Sequence, residues 1–113
     1  MHELALSQSI VDLVAESAAR EGVRKVTKVV LEIGAAAAVE PQALLFCFGV
    51  VAEQTAMQGA ELVINTVALQ AKCRHCGREY SPAALFDPCP GCGSHDRDLL
   101  RGRELRVTSF DAE

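Results

Sequence analysis

Aromatic side chains are scarce in this 113-residue chain: tryptophan is absent, and aromatic residues make up only 4% of the sequence. Hydrophobic residues nevertheless account for 50% of it. That share is too high for a chain that is disordered by composition, so we expect a packed core of aliphatic side chains. The length suits one ordinary domain, or one domain with a small appendage.

Positive charge is also in short supply, because 11 Lys and Arg residues face 15 Asp and Glu residues, for a net charge of -4. This balance argues against a nucleic-acid-binding protein that works through a basic face. No apolar run approaches the roughly 20 residues of a membrane span. Glu3 and Asp12 interrupt the early apolar residues, so the N-terminus does not resemble a secretory signal. We therefore expect a cytoplasmic protein that binds neither membrane nor nucleic acid.

Hydrophobic spacing predicts two helices and three strands. The helices are expected at 4–21, ending before a glycine, and at 41–57, beginning with a proline. Strands are expected at 25–34, at about 61–66 and at 102–110. Because a lone strand is unstable outside a sheet, the third strand should return to pair with the first two. The predicted fold is α/β: a small mixed three-stranded sheet with two helices, plus an inserted zinc-ribbon-like domain.

Four of the five cysteines form the pattern C-x2-C-x12-C-x2-C, at Cys73, Cys76, Cys89 and Cys92. Each two-residue spacing lets one tight turn present two sulfurs to one ion, and two such turns complete the tetrahedron that Zn²⁺ takes with sulfur. Iron in a rubredoxin-like site is the alternative. With all four positions held by protein, we expect a structural site. Cys47, in an apolar stretch, is predicted to be a buried small hydrophobe.

Two histidines lie within or next to these cysteine pairs. His75 lies within the first pair and His95 follows the second. Each is predicted to be a solvated loop residue, although either imidazole could approach a metal.

The first residues of the chain, Met1, His2 and Glu3, offer a second kind of metal site. The terminal amine, the His2 amide nitrogen and the His2 imidazole can close fused chelate rings on one ion. This nitrogen-rich set suits Ni²⁺ or Cu²⁺, and Glu3 can add its amide nitrogen or its carboxylate. A single histidine near a terminus is more often a solvated residue, so both interpretations stay open on this stretch alone.

Taken together, these features resemble the HypA/HybF family of hydrogenase nickel-incorporation proteins. The resemblance runs nearly end to end and rests on the two cysteine pairs and on "MHELALSQSIVDLV", "VTKVVLEIG", "VEP", "ALLFCFGVV", "GAELVI" and "GRELRVTSF". It implies a nickel-binding α/β domain at 1–70 and 101–113, and a zinc-binding domain at 71–100.

The resemblance also implies a function without enzymatic activity. Working with a HypB-type GTPase, the protein would deliver Ni²⁺ to the large subunit precursor of a [NiFe] hydrogenase. Whether it forms a homodimer stays open. Some relatives also serve urease. Nickel would go to His2, with the backbone nitrogen of Met1 or Glu3 and the Glu3 side chain as a further candidate ligand. Zinc would go to the four paired cysteines. Glu40 falls where some members have an acidic residue near nickel. Residues 35–38 are all alanine, unlike the mixed polar loop of the family.

Two other classes of function compete with this interpretation. A zinc-ribbon interaction module without labile metal would hold one ion per chain and bind nucleic acid or a polymerase, which the acidic pI disfavours. A zinc enzyme is disfavoured because four thiolates leave no open coordination position.

Overall fold

The computed structural model describes residues 2–113. In this part of the chain the elements follow in the order α1 (Glu3–Arg20), β1 (Val26–Gly34), α2 (Pro41–Val51), β2 (Glu61–Val67), β3 (Gln70–Cys73), β4 (Glu79–Tyr80), β5 (Arg97–Arg101) and β6 (Leu105–Ala112). The two predicted helices and the three predicted strands are all present. No described helix is long and apolar enough to cross a membrane.

The second helix is shorter than its apolar spacing predicts. It ends at Val51 rather than near Met57. Gln54 has a φ of 64°, in the left-handed region that a helix cannot continue through. The Thr55 hydroxyl donates a 2.6 Å hydrogen bond to the Ala52 carbonyl, so the segment after α2 is a series of turns.

The strands form two three-stranded sheets, with the orders β2-β1-β6 and β4-β3-β5. The first sheet contains the three predicted strands. The second lies in the cysteine-rich segment, where the sequence shows little periodicity. Its strands have only two to five residues, which is too short for alternation to be visible.

The chain divides into two compact units. The first unit contains the described residues up to Leu31, together with Val39–Asn65 and Arg106–Glu113. The second unit contains Glu32–Ala38 and Thr66–Leu105. Each unit is therefore assembled from segments that are distant in the sequence.

The first unit has an aliphatic core to which both helices and two strands contribute. Helix α1 buries residues three or four positions apart, as expected for one helical face, and α2 begins where the Glu40 carboxylate accepts a 2.8 Å hydrogen bond from the Ala43 amide. Among the described residues of this core, Phe48 is the one aromatic side chain. Its buried hydrophobic members are Ile10, Val11, Val14, Ala18, Val26, Val29, Leu31, Leu44, Phe48, Ala52, Met57 and Leu62.

The second unit has a small hydrophobic cluster around its central strand β3. Strand β3 is antiparallel to both β4 and β5, so that Ala71 lies opposite Tyr80 on one side and Leu99 on the other. Ala71 and Tyr80 are buried with Cys73 and Cys89, and Leu99 packs against them. A cluster of this size is too small to stabilise a unit by itself, which leaves a role for a metal ion.

Candidate metal sites

Two matching turns present the four paired cysteines. In each turn the amide of the first cysteine donates to the carbonyl five residues later, from Cys73 to Arg78 (2.8 Å) and from Cys89 to Ser94 (2.9 Å). The glycine four residues after that cysteine donates back to its carbonyl, at 2.9 Å in the first turn and 2.8 Å in the second. The same backbone pattern therefore forms twice, once per cysteine pair.

The glycines in these turns have different roles. Gly77 and Gly93 have φ values of 79° and 76°, in the left-handed region that glycine occupies without strain. Gly91 does not share this conformation. A Cβ at Gly91 would instead lie 3.2 Å from the Arg78 Cδ, so this glycine makes room for a side chain. Two of the three glycines therefore supply a left-handed backbone, and the third supplies space.

The turns bring the four sulfurs together. All four Sγ atoms lie within 4.8 Å of one another, and the Sγ atoms of Cys73 and Cys92, like those of Cys76 and Cys89, are 3.6 Å apart. Among the described residues this metal-binding cluster contains only cysteines. Four sulfur ligands fit one soft tetrahedral ion and leave it no open position, which suits a structural role.

Backbone amides point at two of these sulfurs. The Cys76 amide donates to the Cys73 Sγ at 3.4 Å, and the Gly91 amide donates to the Cys89 Sγ at 3.4 Å. The first of these bonds is the main cause that lowers the pKa of Cys73, which is about 6. The amide of Ser94 acts in the same direction on Cys92, but burial and the neighbouring thiols outweigh it and raise the pKa of Cys92 to about 12. Four thiolates so close together repel one another, and a bound cation removes that repulsion.

An arginine that the sequence did not single out braces the first cysteine turn. The Arg74 Nε donates to Asp98 at 2.9 Å, and its Nη1 donates to Asp96 at 3.2 Å. The Arg74 amide also donates to the Asp96 carbonyl at 2.9 Å. Hydrogen bonding to this guanidinium lowers the pKa of Asp98. The contacts link the first turn to β5 across more than twenty residues, so local spacing does not reveal them.

The two histidines beside the cysteine pairs and the fifth cysteine differ in how exposed they are. His75 and His95 are both exposed, as predicted for solvated loop residues. Cys47 is half-buried in α2 rather than fully buried, because the face of α2 that carries it is only partly covered. The prediction that Cys47 is a core residue is therefore wrong.

At the other candidate site, His2 is exposed and occupies the position just before α1. Its side chain makes no capping hydrogen bond, and its carbonyl accepts a 2.8 Å bond from the Leu6 amide. The imidazole is therefore available while the backbone that carries it is held. Met1, a predicted ligand, lies outside the described residues.

Glu3 is buried, with 5% of its surface exposed, although it carries a charge and begins a helix. Its Oε2 accepts a 3.2 Å hydrogen bond from the Glu40 amide, and this contact is the main cause that lowers the pKa of Glu3. The Ser7 hydroxyl donates to the Glu3 carbonyl at 2.8 Å. The start of α1 is thus joined to the start of α2.

Glu40 lies beside Glu3, but its side chain is engaged elsewhere. Its Oε2 accepts from the Ala43 amide and caps α2. Both carboxylates that the sequence offered near His2 therefore already have backbone partners. The four-alanine run forms a turn in which the Ala36 amide donates to the Gly102 carbonyl at 2.7 Å.

Comparison with known proteins agrees with this architecture. The profile of the family described as "Hydrogenase/urease nickel incorporation, metallochaperone, hypA" matches residues 1–112. The hydrogenase maturation factor HypA of Geotalea uraniireducens is 42% identical over 113 residues, which is 100% of both chains. The protein of the same name from Acidithiobacillus ferrooxidans is 43% identical, also over 100% of both chains.

Solved structures give the same result. The chain matches the solution structure of the Ni metallochaperone HypA from Helicobacter pylori with a TM-score of 0.71 and 25% identity, covering 99% of this chain and 97% of that one. The resemblance noted in the sequence is confirmed. This chain belongs to the HypA family of hydrogenase/urease nickel-incorporation metallochaperones, which are maturation factors and not enzymes.

Proposed function

We propose that this protein binds Ni²⁺ at its N-terminus and delivers it to the large subunit precursor of a [NiFe] hydrogenase. One observation carries the assignment of the site. His2 presents an exposed imidazole on a backbone that Glu3, through its bond to the Glu40 amide, fixes at the start of α1. A free donor group on a held backbone is what a chelate needs in order to form with little ordering of the chain.

Nitrogen atoms supply the proposed ligands. These are the Met1 amine, the amide and imidazole nitrogens of His2, and the Glu3 amide nitrogen. The first amides of a helix have no partner within it, so the Glu3 amide is suitably placed. Because the Glu3 carboxylate already accepts a hydrogen bond, we propose that this side chain positions the backbone, and that Glu3 contributes through its nitrogen.

Release follows from the same arrangement. A site made of a few adjacent donors at an exposed end can lose its ion when one donor is withdrawn, whereas an enclosed site cannot. The chain contains no G-x4-G-K-[ST] motif, so any nucleotide-driven step belongs to a partner. We propose that this partner is a HypB-type GTPase.

We further propose that Cys73, Cys76, Cys89 and Cys92 hold a structural Zn²⁺. The closed set of four sulfurs and the small cluster beside it support a stabilising ion rather than a transported one. Four thiols left unpaired by disulfides are typical of the cytoplasm, where we expect the protein to act.

The proposed nickel site is tested by titrating Ni²⁺ into the zinc-loaded protein in a calorimeter. His2→Ala should abolish nickel binding and leave the zinc content and the circular dichroism spectrum unchanged. His75→Ala is the matched control, since it also removes one exposed imidazole, and it should bind nickel like the parent. Unchanged nickel affinity in His2→Ala would show that the site is assigned wrongly.

A second variant tests the role of the terminal amine. One glycine added before Met1 replaces that amine with an amide and leaves every side chain in place. We expect this extended protein to lose nickel binding while its folding and zinc content stay as in the parent. Normal loading would exclude the amine from the ligand set, and a hydrogenase maturation assay would then show whether delivery also persists.

A further inference from the structure

A cavity of about 310 Å³ opens on the second unit, and none of the residues assigned to either metal lines it. Its lining divides into apolar and basic side chains and includes no carboxylate among the described residues. The six residues are Leu85, Phe86, Leu99, His95, Arg97 and Arg103. None of the roles proposed above uses this cavity.

The apolar part of the lining includes an aromatic ring in contact with solvent. Phe86 is 78% exposed, in a chain that has only four phenylalanines and no tryptophan. Leu85 and Leu99 are half-buried beside it. An exposed large apolar group next to a concave surface is typical of a protein-binding site.

The turn that carries Phe86 is held in place. The Asp87 Oδ2 accepts hydrogen bonds from the amides of Ala83 (3.1 Å) and Ala84 (3.0 Å). The Asp87 carbonyl accepts a 3.5 Å bond from the Arg97 Nη1. The apolar and basic sides of the cavity are thus joined before any ligand binds, which lowers the entropy lost on binding.

The charges around the cavity favour an acidic ligand. The carboxylate of Asp87 is engaged by two amides, and those of Asp96 and Asp98 by Arg74. The fixed charges in the described lining of the cavity are the guanidinium groups of Arg97 and Arg103, so this lining is positive although the chain carries -4 overall. Guanidinium groups bind carboxylates through paired hydrogen bonds.

We propose that this cavity docks an acidic peptide segment of a partner protein. A large apolar side chain of the segment packs between Leu85, Phe86 and Leu99, and an adjacent carboxylate pairs with Arg97 and Arg103. A nucleic acid fits less well, because the protein carries a net charge of -4 and would repel the phosphate backbone. The docking surface shares no residue with the proposed nickel site.

The experiment is an NMR titration of the ¹⁵N-labelled, zinc-loaded full chain. The probe is a short capped peptide that alternates glutamate and leucine, compared with two analogues in which glutamine replaces glutamate or serine replaces leucine. We expect the glutamate–leucine peptide to shift the amides of Phe86, Arg97 and Arg103 in a saturable way. Both analogues should bind at least about ten-fold more weakly.

Three variants localise the binding. Arg103→Glu and Phe86→Ala should each lower the affinity for the peptide by about ten-fold or more. Both positions are exposed. Arg24→Glu makes the same change of charge at an exposed position in the first unit and should leave affinity unchanged. Amide dispersion and zinc content confirm folding, and Arg97→Gln replaces Arg103→Glu if that variant does not fold.

Several results would overturn the proposal. The first is that no saturable shifts appear at the cavity up to about 5 mM peptide. The second is that the Arg103→Glu and Phe86→Ala variants bind the peptide as tightly as the parent does. The third is that the glutamine analogue binds as tightly as the glutamate–leucine peptide. Tighter binding of a thymidine oligonucleotide than of the peptide at the same amides would show that the cavity serves nucleic acid instead. None of these results bears on nickel binding, so each proposal can fail by itself.

Discussion

Replacing Gly34 with alanine should destabilise the second unit severely, because two stretches of backbone meet at this glycine. A Cβ built there would lie 2.0 Å from the carbonyl carbon and oxygen of Gly102, and 2.5 Å from the Arg103 amide nitrogen. All three atoms are main chain, so no change of side-chain rotamer relieves the overlap. The stretches must instead separate by about 1.4 Å, from 2.0 Å to the ordinary contact of 3.4 Å.

The size of the effect follows from what that separation breaks. The Gly34 amide donates to the Glu104 carbonyl at 2.7 Å, and the Ala36 amide donates to the Gly102 carbonyl at 2.7 Å. Each bond contributes about 1 kcal/mol net, and overpacking adds about 1–3 kcal/mol. The expected loss is therefore about 3–5 kcal/mol, a large part of the roughly 5–15 kcal/mol that stabilises a typical domain.

Urea unfolding of the zinc-loaded protein, followed by circular dichroism, measures this loss. The matched control is Gly49→Ala, because a Cβ at Gly49 meets nothing within 4 Å and the residue lies in α2. Alanine favours a helix over glycine by about 0.5–1 kcal/mol, so the control should be slightly stabilised. A Gly34→Ala variant within about 1 kcal/mol of the parent would refute the reasoning, since the proposed close contact would then be absent.

Three further predictions concern the core, the start of α2 and the metal. Leu44 is fully buried, so Leu44→Ala should lower the free energy of unfolding by about 2–5 kcal/mol. Leu13 is 53% exposed, so Leu13→Ala should change that free energy far less in the same urea titration. Glu40→Ala removes the cap on the Ala43 amide and should destabilise the protein by about 0.5–2 kcal/mol. Calorimetry should nevertheless find the nickel affinity of this variant unchanged, because the Glu40 amide is retained. A large loss of nickel affinity would indicate that the Glu40 carboxylate is a ligand. Cys89→Ser, or a chelator added to the parent, should remove zinc by elemental analysis and collapse the NMR dispersion of the second unit, and retained dispersion would contradict a structural ion.

Much of the proposed metal chemistry follows from local sequence. The cysteine spacing and the glycines at 77 and 93 specify two turns, and the structure forms both with the same backbone hydrogen bonds. The helices and the three longer strands are also visible, because the apolar residues of each recur at the period of that element. These features depend on neighbours a few positions apart, which is the range over which a sequence pattern carries information.

The short strands of the second sheet and the early end of α2 are not visible in this way. A strand of two residues has no period, and the turns after Val51 depend on the left-handed conformation of Gln54, which apolar spacing does not encode.

The contacts that position the proposed nickel site and the proposed docking cavity are visible only in the tertiary structure. The bond from the Glu40 amide to Glu3 spans 37 positions, and it gives the Glu3 carboxylate a backbone partner beside His2. The cavity around Phe86 likewise combines a turn with side chains from β5 and beyond. The sequence alone thus determined which atoms are available to bind metal, because donor type and close spacing are local properties. Only the folded chain decided which of those atoms are already engaged, because hydrogen bonding and burial depend on residues that are distant in sequence.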